Sequence, residues 1–125
     1  MRSCGDCKAC CWAPEVPALS KEKGTWCQHC DPKAAKGCQI YDSRPAMCSE
    51  FNCLWRAEPK IVPESLYPAK SRVMISAMAE TTLIVWELLP GAAEKKHVAN
   101  WIRMMKSADY TIIVAQPRSN TAREV

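Results

Sequence analysis

Hydrophobic positions fall into two regimes along the 125 residues. From Val73 onward they are dense and periodic. Val73-Met74-Ile75-Ser76-Ala77-Met78 and Thr82-Leu83-Ile84-Val85-Trp86-Glu87-Leu88-Leu89 are rich in β-branched and aliphatic residues, and each predicts a strand. The short gap Ala79-Glu80-Thr81 suggests a hairpin, although it lacks the Asn-Gly pair that favours one. Pro90-Gly91 then breaks the chain. Over residues 92–108, Val98, Trp101, Ile102 and Met105 recur at i, i+3, i+4 and i+7, which makes one apolar face of a helix. Glu94 near its start and Arg103 and Lys106 near its end suit the helix dipole. Thr111-Ile112-Ile113-Val114-Ala115 predicts a third strand. Residues 73–116 therefore read as a β-β-α-β unit, and the polar residues 117–125 are expected to fray.

Before Val73 the periodicity dissolves. Apart from cysteine, residues 1–58 offer few large aliphatics: Val16, Leu19, Ile40, Met47 and Leu54. Turn and breaker residues run through the same stretch, at Gly5, Pro14, Pro17, Gly24, Pro32, Gly37 and Pro45. Such a segment buries too little apolar surface to offset its chain entropy, so it needs a staple. Pro59, Pro63 and Pro68 space residues 59–72 as a connector with an extended path, arguing against a helix there. The expected fold class is α+β. It consists of a small irregular, metal-stapled Cys-rich module over 1–58, then a β-β-α-β unit packed on it, with a small sheet and one amphipathic helix.

The candidate staple is sulfur. All nine cysteines lie between Cys4 and Cys53, in the pattern Cys4-x2-Cys7-x2-Cys10-Cys11, Cys27-x2-Cys30, Cys38, Cys48 and Cys53. Disulfides fit this poorly. The start of the chain has no apolar signal region, which predicts a cytoplasmic protein, and stable disulfides are rare there. Nine is odd, and adjacent Cys10 and Cys11 pair only through a strained ring. A C-x2-C step, by contrast, lets two thiolates bind one ion from a tight turn, half of a tetrahedral site. Buried thiols acting as small hydrophobes are the plainer reading, but these nine have little apolar company. All nine are therefore candidate metal ligands.

Adjacent side chains on an extended chain point apart. Cys10 and Cys11 most simply serve two ions, or one of them serves a shared cluster. Eight thiolates fill two Cys4 sites, and nine fill three tetrahedral ions if three sulfurs bridge. Zinc and iron–sulfur clusters both favour all-thiolate sites. Cys4-x2-Cys7-x2-Cys10 matches the first three ligands of a bacterial ferredoxin run, but the x3-Cys-Pro step that completes that run is missing. Zinc is preferred, as the commoner structural solution for a small module without a core. Metal binding also changes the meaning of the formal charge of +4. Eight thiolates around two divalent ions bring it close to zero, so the apparent basicity does not favour nucleic acid. No stretch has the roughly 18 apolar residues of a membrane span.

Cys4-Gly5-Asp6-Cys7-Lys8-Ala9-Cys10-Cys11 resembles the head of the CxxCxxCC cysteine-cluster family, a zinc- or iron-chelating domain of YkgJ type. A second family motif is matched by Cys38-Gln39-Ile40-Tyr41, by Arg44-Pro45-Ala46-Met47-Cys48, and by Phe51-Asn52-Cys53. The family's middle cysteine falls on Cys27. The family set is eight, so Cys30 looks like an addition. The resemblance covers about residues 1–55, says nothing sharp about the remainder, and implies metal chelation. Other motif residues have two readings. Arg44 either donates to cluster sulfurs or carbonyls, or packs its stem on Tyr41. Trp12, Phe51 and Trp55 are expected to shield the metal, which is close to ordinary core packing. His29 between Cys27 and Cys30 is a possible ligand that nine sulfurs make dispensable, and His97 is expected to face solvent.

No catalytic motif is present: there is no triad pattern, phosphate-binding glycine loop or zincin helix. Three function classes follow. The first is a structural zinc module, with two or three ions, acting as an interaction module for a protein partner. The second is an iron–sulfur protein for electron transfer or redox sensing. The third is metal storage or delivery, which a folded tail and modest ion capacity make less attractive.

Overall fold

Alternation along Thr82–Glu87 decides the architecture. A computed structural model describes residues 7–13, 21–34, 37–40, 43, 53–119 and 121–125. In it, Thr82–Glu87 is the central strand β2, with Leu83, Val85 and Glu87 buried on one face. Strand β1, Val73–Ala79, pairs antiparallel with β2 through a hairpin, with Val73 opposite Glu87 and Ile75 opposite Val85. The register shifts between Ala77 and Ala79, a bulge next to the turn. Strand β3, Thr111–Ala115, lies parallel to β2, as a crossover through a helix requires. The fold is α+β, and among the described residues the sheet has four strands in the order β1-β2-β3-β4.

Strand β4, Ala122–Glu124, corrects the expectation that residues 117–125 fray: it pairs antiparallel with β3. All three of its residues are exposed, so it carries no hydrophobic alternation from which it could have been read. Backbone pairing and one side chain hold it. Arg123 reaches the Glu87 carboxylate at 3.8 Å.

Two further boundaries differ from expectation. The amphipathic helix begins at Lys96, where residue 92 was expected. Ala92–Glu94 forms a separate 3₁₀ turn, and Lys95, with ψ 140°, interrupts the chain. The buried Glu87 side chain draws this turn toward the sheet by accepting the Ala93 N–H at 2.9 Å. The connector contains helical turns where an extended path was expected. Helix α1, Leu54–Ala57, leads into it; a 3₁₀ turn at Glu64–Leu66 and helix α2, Pro68–Ser71, follow. Pro68 occupies the first helical turn, where a missing N–H costs nothing, and Tyr67 before it, with ψ 119°, stays out of the α region that a following proline disfavours. Helix α3, Lys96–Ser107, buries Val98, Trp101, Ile102 and Met105, the four positions of its apolar stripe.

The main core lies between one sheet face and the helices. Val73, Ile75, Leu83, Val85, Ile112 and Val114 of the sheet meet the α3 stripe, Leu54 and Trp55 of α1, and Val62 and Leu66 of the connector. Two indoles tie the connector down: Trp101 donates to the Ile61 carbonyl at 2.9 Å and Trp55 to that of Glu64 at 3.2 Å. The other face of the sheet presents Met74 and Trp86. Met74 forms a second, smaller cluster with Ala9 and Ala13 of the cysteine segment, with Trp12, Trp86 and Leu88 packed against it. One sheet thus has its own core on one side and a seat for the cysteine segment on the other.

Candidate metal centre

Alanines seat the segment and let its cysteines approach their neighbours. Ala9–Cys11 is a 3₁₀ turn, with Ala9 buried against Met74. Residues 21–27 run back beside it. Gly24 N–H donates to the Ala13 carbonyl at 3.1 Å, and Cys27 N–H donates to the Cys11 carbonyl at 2.7 Å. The buried Lys21 ammonium donates to the Trp12 and Glu22 carbonyls at 2.9 and 3.2 Å. Backbone bonds therefore place Cys27 directly beside Cys11.

From Cys27 the chain makes the tight turn that its C-x2-C spacing predicts. Cys30 N–H donates to the Cys27 carbonyl at 3.0 Å, and His29 N–H points at Cys27 Sγ, 3.4 Å away. An amide aimed at sulfur stabilises negative charge there, as thiolate ligation requires. The contribution of His29 is through its backbone, while its ring Nε2 lies 3.5 Å from Gln28 Nε2.

Cys30 and Cys38 face each other across an isolated antiparallel bridge. Asp31 N–H donates to the Gly37 carbonyl at 2.7 Å and Gln39 N–H to that of His29 at 2.8 Å. These two bonds enclose the Cys30–Cys38 pair and make it a non-hydrogen-bonded pair. Opposed residues of that kind have Cα atoms about 4.5 Å apart and side chains on one face. Gly37 is needed next to them. A Cβ there would lie 2.9 Å from Lys8 Cγ and 3.1 Å from Cys30 Sγ.

Cys11 closes the group. Its thiol is hydrogen-bonded to Cys10 and Cys30; the bond with Cys10, then burial, then the nearby sulfurs hold it far above the ordinary thiol range. Burial pushes the Cys30 thiol up as well, and Cys27 and Cys38 add to this, while the bond with Cys11 and the Lys8 charge act the other way. Both shifts follow from burial and from the closeness of the sulfurs to one another. All seven described cysteines are thiols. As their side chains stand, no three His, Cys, Asp or Glu groups among the described residues surround a common metal position.

Cys7 and Cys53 both pack against the small cluster of Ala9, Ala13 and Met74, and Cys53 touches the main core too. Cys4 and Cys48 fall outside the described residues, as do Tyr41, Arg44, Pro45 and Phe51. Trp12 lies 6.2 Å from Trp26 and under the Arg118 guanidinium, 4.8 Å from its carbon. Trp55 meets Tyr67 at 4.7 Å between ring centroids, tilted by 48°, at the main core, and His97 is exposed.

Arg118 escaped the sequence reading. It covers Trp12 and donates from Nε to the Gly24 carbonyl at 3.1 Å, while Lys23 Nζ donates to the Ser119 carbonyl at 3.3 Å. Gly24 has φ +73°, and a Cβ there would lie 2.7 Å from the Pro117 carbonyl oxygen. The turn joining β3 to β4 thus clamps the cysteine segment, and the positive φ is the reason glycine stands at that contact. No helix among the described residues is long and apolar enough to cross a membrane. No family model matches the chain, and neither a curated protein nor a solved structure does.

Proposed function

We propose that the chain is a metal-binding protein of the CxxCxxCC type, whose cysteine segment is a small module stapled by an all-thiolate site, most simply structural zinc. The observation that carries this reading is the placing of Cys11, Cys27, Cys30 and Cys38 beside one another by backbone hydrogen bonds, in a segment rich in turn residues and poor in large aliphatics. Thiols crowded in this way gain from a divalent cation, which removes the cost of neighbouring negative charges. The reading is of a cytoplasmic protein, where thiolates are kept from oxidation. The folded sheet behind the segment fits a module that presents a surface to a protein partner rather than a storage protein.

Anaerobic purification, elemental analysis and a visible spectrum test the proposal. A colourless protein with about two or three zinc ions per chain is expected. A brown protein with iron and acid-labile sulfide would replace zinc by an iron–sulfur centre. Protein that retains neither metal after anaerobic purification and reconstitution would end the metal reading.

A further inference from the structure

Cys30 and Cys38 are placed for a second chemistry that needs no metal. The bonds from Asp31 N–H to the Gly37 carbonyl and from Gln39 N–H to the His29 carbonyl flank them, so the two oppose each other as a non-hydrogen-bonded antiparallel pair. Such pairs hold their Cα atoms about 4.5 Å apart with both side chains on one face. Disulfides span Cα separations of roughly 4.4–6.8 Å, so rotation about χ1 is enough to bring these sulfurs into bonding reach. A Cβ on Gly37 would lie 3.1 Å from Cys30 Sγ, so that sulfur already rests against the backbone next to Cys38. The other neighbours of Cys30 are held differently. Cys27 begins the same tight turn, but its Sγ faces the His29 N–H at 3.4 Å. The Cys11 thiol is hydrogen-bonded to Cys30, yet Cys11 belongs to a separate stretch, tied here through its carbonyl to Cys27 N–H. Among the described cysteines, Cys38 is the one whose backbone is set opposite Cys30 by bonds on both sides.

We propose that Cys30 and Cys38 are a reversible dithiol–disulfide couple, oxidised by exchange with a small-molecule disulfide such as glutathione disulfide. One of the two thiolates, its proton lost to solvent, attacks a sulfur of the oxidant and expels one glutathione thiolate. The second thiolate then attacks the protein sulfur of this mixed disulfide and expels the other glutathione. One S–S bond breaks and one forms. The two cysteines lose two electrons, the two glutathiones gain them, and the released thiolates take up protons. In a reducing compartment a disulfide of this kind is transient and senses redox state rather than adding stability. The couple goes beyond the metal reading and stands without it. Where metal is bound, sulfurs joined to each other are withdrawn from it, so oxidation and metal binding compete.

The full chain, reduced and freed of metal by a chelator without air, is equilibrated with glutathione disulfide, blocked with N-ethylmaleimide and digested with trypsin without reduction. Trypsin cuts after Lys33, so a Cys30–Cys38 link joins two peptides that part only on reduction. Peptide mass spectrometry should show this link at least about tenfold above any other cysteine pair, because the register starts it at disulfide geometry. Dithiothreitol should restore both thiols. In strong denaturant the preference should vanish, and Cys38→Ser should leave glutathione on Cys30. A main link from Cys30 to Cys11 or Cys27, a lasting glutathione adduct on the wild-type pair, or no oxidation at all would overturn the proposal. So would the same preference in denaturant, which would owe nothing to the fold. Metal content of the reduced chain is a separate readout. A chain that holds no metal and still forms the link would support the couple and end the metal reading.

Discussion

The two halves of this chain solve the same problem with different chemistry. From Val73 onward, β-branched residues and a four-residue helical stripe bury one another, joined by Leu54, Trp55, Val62 and Leu66 of α1 and the connector, and this core is made of ordinary apolar side chains. Among the described residues, the cysteine segment contributes Ala9 and Ala13 to the buried part of its cluster and borrows Met74 from the sheet. Turns, backbone bonds and crowded thiols do the rest. Size alone does not separate the halves; the supply of apolar side chains does. Where that supply fails, a strong directional ligand set is the remaining way to offset chain entropy.

Substitutions that act on one half and spare the other sharpen this contrast. Trp101→Ala should have the largest effect. It empties a buried position in the sheet core and frees the Ile61 carbonyl, costing about 3–5 kcal/mol in denaturant unfolding. The metal content of the folded fraction should stay unchanged. If metal content fell in step, the two halves would not be separable.

Glu87→Ala should come next, at about 2 kcal/mol, because Ala93 N–H and the Gln116 amide lose a buried acceptor. Glu87→Gln, which keeps an acceptor oxygen, should cost less. Hydrogen exchange should show β4 opening first, since Arg123 also loses its partner. An unchanged β4 would mean that backbone pairing alone holds it.

Arg118→Ala acts on the seam between the halves. Losing the contact with Trp12 and the bond to Gly24 should cost about 1 kcal/mol. Limited proteolysis should then cut the cysteine segment faster while the sheet persists. The smallest effect should be a gain. Asp109 sits at φ 69° just beyond α3, where Tyr110 N–H bonds the Met105 carbonyl and Asp109 N–H that of Lys106. Asp109→Gly should therefore stabilise the sheet half by about 0.5 kcal/mol in thermal melting.

Periodicity made the tail legible. Each of the three expected strands appeared, and the stripe of Val98, Trp101, Ile102 and Met105 is the buried face of α3. What escaped depended on contacts distant in sequence. Glu87 looked like the polar end of a strand, yet it fixes the turn that delays α3 and the Arg123 strand. Nothing local marks Ala122–Glu124 as a strand, because its pairing is made by backbone groups that every residue carries. In the cysteine segment, the Cys27–Cys30 turn follows from spacing alone. That Cys30 stands opposite Cys38 depends on the bonds of Asp31 and Gln39 around the intervening turn, which no spacing rule supplies. Arg118 over Trp12 joins the two ends of the chain and left no trace in either neighbourhood.

The central claim is that metal holds the cysteine segment while the sheet holds itself. Hydrogen exchange on the full chain, before and after metal is removed by a chelator under reducing conditions, tests it most directly. The account predicts that the amides of Cys27, Cys30, Asp31 and Gln39 lose protection on metal removal, while those of β2, β3 and α3 keep theirs. Unchanged protection of those four amides, or loss across the sheet as well, would contradict it.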